Sequence, residues 1–174
     1  LFPVVECRMN NVVLSKSSKS GPRLNFHIIF DPSVASDVES FIKNLDVNGS
    51  TIASKYTDKK FLLEDVQVDF MDVCKKLRQD GNFKDKFIIW IPYDEHGGID
   101  PIDPASNTYF KQGLVRGADI LGSANKSQSD FFLWRHDKYT AEQFKEWFGK
   151  KKPCIKGSDS HNVNDVLGKL KDKN

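Results

Sequence analysis

Cysteine and methionine are scarce in this 174-residue chain, three and two of them, and 26 basic residues against 24 acidic leave a net charge of only +2. Cys7, Cys74 and Cys154 are odd in number, widely spaced and form no C-x-x-C pair. That pattern reads as reduced, intracellular thiols serving mostly as small buried hydrophobes. The near-balance of charge gives no field that favours nucleic acid over another partner. No apolar run approaches the ~18 residues a spanning helix needs. No charged-then-apolar secretory stretch opens the sequence either. The expectation is a cytoplasmic protein with no membrane partner.

Several catalytic signatures are also missing. There is no G-x-x-x-x-G-K-[ST], so the chain itself is no P-loop ATPase, and there is no G-x-S-x-G, H-E-x-x-H or G-x-G-x-x-G. What is abundant is apolar and aromatic: 39% and 11% of residues, with 13 Phe. That composition suits one folded domain of ordinary size. The sequence begins at Leu1, without Met, on Leu1-Phe2-Pro3-Val4-Val5, which reads as a strand in mid-sheet. The expectation is a piece of a larger protein.

Periodicity predicts strands at Phe2–Cys7, Leu24–Phe30, Phe87–Pro92, 118–122 and 153–157. The continuous run Phe87-Ile88-Ile89-Trp90-Ile91-Pro92 suits a central parallel strand covered on both faces. Helices are expected from Asp31-Pro32-Ser33 onward, over Leu63–Asp80 (apolar stripe Leu63, Val66, Phe70, Val73, Cys74, Leu77), over 105–116, over 140–148 behind a Thr140 cap, and over 163–170. Met9–Gly21 and Asn48–Lys60 read as loops, the second exposed and mobile. Strands alternating with helices give an α/β fold with a largely parallel sheet. The spacing does not choose between barrel and open sheet.

In such folds chemistry gathers at the carboxyl ends of strands. Glu6, Asp94 with His96, Asn125, and Asp159 with His161 fall near such ends, whereas His27 sits awkwardly early in its own run. In Gly157-Ser158-Asp159-Ser160-His161, a carboxylate and an imidazole two residues apart share one side if strand geometry continues, which suits a divalent metal or an acid/base pair. The plainer alternatives are a helix N-cap for Asp159, an ion pair with Arg8 for Glu6, a satisfied core histidine for His27, and a solvated turn for Tyr93–Gly98. Mixed His and carboxylate donors suit Zn, Mn or Fe. Phe131-Phe132-Leu133-Trp134 with Arg135 and His136 could stack bases, but core packing or a domain interface is the better use.

Phe2-Pro3-Val4-Val5-Glu6, Phe26-His27-Ile28-Ile29-Phe30 and the closing Gly157-Ser158-Asp159-Ser160-His161 together resemble the PHP (polymerase and histidinol phosphatase) superfamily. Asn25–Phe30, Pro92-Tyr93-Asp94-Glu95 with Gly97-Gly98, and Lys152–His161 are most similar to TrlF-type proteins, in which a PHP domain precedes an SMC- or AAA-like ATPase. The resemblance implies a partial or distorted (β/α)7 barrel holding two or three divalent metals. It also implies hydrolysis of phosphomonoesters, or of phosphodiesters including nucleic acid. Carried over by position, Glu6, His27, Asp159 and His161 are ligands, Asp159 and His161 are also catalytic, and Asp94 or His96 stands where the family has another His. The family's H-x-H and its next-strand His are absent, so the chain corresponds to the later part of such a domain, joined to an ATPase domain in its parent. Alone, it is expected to hydrolyse weakly or not at all. The alternatives are a non-catalytic PHP-derived docking or regulatory module, and an unrelated α/β binding domain in which Asp159 is only a cap.

Overall fold

The computed structural model describes residues 1–10, 23–57 and 66–156. Its elements are β1 (Val4–Met9), β2 (Asn25–Phe30), α1 (Ala35–Lys43), β3 (Asp46–Val47), β4 (Ser50–Thr51), α2 (Ile52–Tyr56), β5 (Gln67–Val68), α3 (Phe70–Gln79), β6 (Phe87–Pro92), α4 (Pro104–Gly117), β7 (Ile120–Gly122), α5 (Lys126–Phe132), α6 (Ala141–Phe148) and β8 (Cys154–Ile155). Six strands form one mixed sheet in the order β5-β1-β2-β6-β7-β8, and β3 with β4 makes a separate hairpin. β5 pairs parallel with β1, and β6, β7 and β8 pair parallel in turn. Only β2 runs the other way, antiparallel to both its neighbours. The fold is therefore α/β with a mostly parallel sheet.

Strand alternation decides which residues enter the core. Cys7, Phe26, Ile28, Ile89, Ile91 and Leu121 point to one face and are buried at 8% exposure or less. The helices cover that face through Val38, Phe70, Val73, Leu77, Leu114, Phe144 and Phe148, which join the same apolar cluster. Residues of opposite parity stay half-buried or exposed: Val4, Glu6, His27, Ile29, Ile88, Trp90 and Ile120. Ile88 is 41% exposed and Val4 56%. The expectation that β6 is covered on both faces is corrected at Ile88, which is exposed, and among the described residues no helix packs on the second face that carries Ile88 and Trp90.

Two further expectations change. A helix beginning at Leu63 is replaced, over the described part, by β5 and then α3. Asp69, in extended conformation, accepts a hydrogen bond from the Asp72 N–H at 2.7 Å and starts the helix at Phe70. The loop expected at 48–60 contains β4 and α2, the latter capped by Thr51, which accepts from Ser54 N–H. The helix expected over 163–170 lies outside the described residues. Thr140 does cap α6, in a reciprocal box with Gln143.

Lys152 shows how the end of α4 is closed. Its side chain is fully buried, and Nζ donates to the Arg116 carbonyl at 3.1 Å and the Ala118 carbonyl at 2.5 Å. These are among the carbonyls a helix C-terminus leaves without partners. Burial first, and the neighbouring Lys150 charge second, pull the Lys152 ammonium down to about 8. No helix among the described residues is long and apolar enough to cross a membrane.

Candidate functional site

The single antiparallel strand accounts for the awkward histidine. Because β2 runs against its neighbours, its beginning lies at the sheet edge where β1, β6 and β7 end. His27, early in its own strand, therefore stands directly opposite Glu6 on one side and Trp90 on the other. Directly opposed residues share a face. Glu6, His27 and Trp90 form one row across the open face, and Trp90 continues it to Ile120. Glu6 sits mid-strand rather than at a strand end, since β1 runs on to Met9.

Within this row, His27 Nε2 stands 3.8 Å from Glu6 Oε2, with the imidazole 18% and the carboxylate side chain 58% exposed. The His27 ring lies against Trp90 with centroids 4.5 Å apart at 35°. Burial pulls the imidazole below its ordinary pKa, against the opposing push of the Glu6 carboxylate. A neutral imidazole is the metal-binding form. Asn25 Nδ2 donates to Glu6 Oε1 at 2.6 Å. Three buried polar atoms of this face have no partner: Asn25 Oδ1, His27 Nδ1 and Trp90 Nε1. Buried polar groups are nearly always paired, so three together mark a place that something polar completes.

The Tyr93–Gly98 turn closes this edge. Asn25 N–H donates to the Gly97 carbonyl at 2.9 Å, and Gly98 N–H to the Glu95 carbonyl at 3.0 Å. Glycine is required at 98, because a Cβ there would come within 2.4 Å of the Tyr93 carbonyl oxygen. Asp94 and His96 are both exposed on the turn. Burial, and secondarily the Asp94 charge, push the Cys154 thiol up to about 11. Asp94 thus acts electrostatically on β8, the strand that leads into Gly157.

Of the residues expected to form the site, the structure brings Glu6 and His27 together and sets the Asp94–His96 turn against Asn25. Asp159 and His161 lie outside the described residues. Among the described residues, no group of three His, Cys, Asp or Glu side chains is gathered closely enough to hold a metal ion. Asn125 is a helix cap, its Oδ1 accepting from Ser127 and Gln128 N–H. Cys7 is buried and its thiol pushed up to about 12, by burial first and Glu6 second, which removes it as a nucleophile. The aromatic run packs inward, with Phe131 and Phe132 against Phe144 and Phe148. Trp134 ends α5 in the left-handed region at φ 61°, stacked on Phe144.

Two residues of this site escaped sequence reasoning. Asn25 precedes His27 by two, the strand period, and that spacing was the available signal. Trp90 was hidden inside an apolar run. No family model matches the chain, and no curated protein or solved structure matches it either.

Proposed function

We propose that the chain is the later part of a PHP-type metal-dependent phosphoesterase domain within a larger PHP–ATPase protein. The observation that carries this reading is the Glu6–His27 pair, set on the open face at the edge toward which β8 also runs. Their separation of 3.8 Å is too long for a hydrogen bond. Two donors on one ion, each at ~2.1 Å, stand up to ~4.2 Å apart. A carboxylate and a neutral imidazole at this spacing fit Zn, Mn or Fe.

The remaining ligands in this reading are Asp159 and His161. Between β2 and β8 lie β6 and β7, so three strand spacings amount to ~14 Å. The four residues from Ile155 to Asp159 span at most ~14 Å, which matches the sideways distance to His27 and falls one strand spacing short of Glu6 on β1. Curvature of the sheet toward a distorted (β/α)7 barrel would shorten that path. Asp94 or His96 supplies a further donor from the turn.

The chemistry that bound metals supply is polarisation of the phosphate oxygens and acidification of a water. The protein's own part is to hold the donors: Glu6 by Asn25, His27 by its contact with Trp90. In this reading Asp159 and His161 would act on the reaction through the metal they hold, keeping the activated water beside the ester. The substrate class is a phosphomonoester or a phosphodiester, nucleic acid included. Asp159→Ala in the parent protein is expected to abolish manganese-dependent hydrolysis of bis(p-nitrophenyl) phosphate. Undiminished hydrolysis overturns the proposed site.

A further inference from the structure

A cavity of about 300 Å³ opens on the helix-covered side of the sheet, beyond the end of β6. Val115 of α4, Phe131 and Phe132 of α5 and Phe148 of α6 line its apolar floor. Phe132 meets Phe148 edge-on at 5.5 Å, and Tyr93, the first residue after β6, meets Phe132 edge-on at 5.0 Å. The rings thus hold one another in a fixed aromatic surface. In parallel sheets ligands bind in the crevice outside the carboxyl ends of the strands. This cavity lies there, between the helices that follow β6 and β7. A cavity of ~150 Å³ takes one benzene ring, so this one has room for a fused two-ring ligand.

Two opposite charges stand at its mouth. Asp100 N–H donates to the Tyr93 carbonyl at 2.9 Å, and the Asp100 carbonyl accepts from Lys111 Nζ at 3.2 Å. The Lys111 ammonium also lies 5.0 Å over the Tyr93 ring and 3.8 Å from the Asp100 carboxylate. The lysine side chain is 14% exposed and the aspartate 44%. Burial first, and the Asp100 charge second, push the Tyr93 phenol up to about 12, so this wall of the cavity stays neutral. An anion entering here would meet Asp100, and a cation would meet Lys111. A neutral ring whose edge carries N–H donors beside a carbonyl suits both, since a carboxylate accepts and an ammonium donates. Guanine has that edge, with N1–H and the 2-amino group beside O6.

We propose that this cavity binds a guanine base, its rings on the Phe132–Phe148 floor, its N1–H and 2-amino group donating to the Asp100 carboxylate, and its O6 accepting from Lys111. The assignment does not depend on the metal-site reading above, whose Glu6 and His27 sit on the open face of the sheet.

Titration of the full chain with guanosine, read by calorimetry and by amide NMR, tests it. Wild type is expected to bind guanosine with shifts at Lys111 and Phe132. It should bind inosine, which lacks the 2-amino group, more weakly, and adenosine least. Asp100→Asn keeps the side chain's shape but loses the charge and one acceptor oxygen. It is expected to bind guanosine ~10- to 100-fold more weakly, within the range of a paired base contact. Thr108 is exposed at the cavity's edge, so Thr108→Trp is expected to block guanosine without touching the floor. It carries the test should Asp100→Asn disturb the fold. His27→Ala is expected to bind guanosine as wild type does. No binding of guanosine by wild type up to its solubility limit overturns the proposal, as does equal affinity for adenosine or wild-type affinity in either cavity variant. Loss of guanosine binding in His27→Ala overturns it too, by placing the base on the open face. The metal-site reading stands or falls separately, on metal affinity.

Discussion

His27→Ala is expected to weaken zinc or manganese binding at least ~100-fold, the upper end of what loss of a mere supporting partner costs. The imidazole is one of only two donors that the described residues bring together, and burial lowers its pKa toward the neutral, ligating form against the opposing Glu6 charge. Removing it leaves Glu6, whose side chain is more than half exposed and therefore well solvated without a metal. The fold should tolerate the change, because the ring lies on the open face beside Trp90 rather than in the helix-covered core. Calorimetric titration of both proteins, with thermal unfolding as a control, reads the two effects separately. Equal affinities at equal stability would remove His27 from the site.

Phe70→Ala should lower the unfolding free energy by ~3–5 kcal/mol, the range for truncating a fully buried aromatic ring. Phe70 opens α3, is 0% exposed, and meets Phe26 of β2 edge-on at 5.0 Å. Its ring also fills the space that Gly117 leaves at the end of α4. A Cβ there would come within 2.6 Å of Phe70 Cε1. One side chain therefore joins β2, α3 and α4. Denaturant unfolding measures the loss. A midpoint within the error of wild type would mean the helix layer is not fixed through this ring.

What could be read in advance follows from the range over which each signal acts. Strand β6 matches its expected span because a continuous apolar run of that length needs no partner to be recognised. The α6 cap was equally local, a Thr140–Gln143 box that depends on four consecutive residues. Strand β5 was missed because its two residues are defined by pairing with Arg8 and Met9 in β1, while Leu63 and Val66 just before them continue the apolar spacing of α3 in the sequence. The reversed direction of β2 was invisible for the same reason, being fixed by pairing to β1 and β6. That reversal is what brings His27 to the ends of the parallel strands, so both members of the candidate pair were recognisable by residue type and none of their geometry was. Asn25 matters only through contacts with Glu6 and Gly97, 19 and 72 residues away in sequence.

The central claim is that Glu6 and His27 belong to the same metal site as the segment after β8. Metal content by plasma mass spectrometry, after incubation with manganese and zinc and removal of free ions, tests it most directly. The purified chain is compared with the Asp159→Ala, His161→Ala double variant. Stoichiometric metal in the wild type and none in the variant is the expected result. Metal retained equally by both proteins would contradict it, because Glu6 and His27 would then be acting without Asp159 and His161.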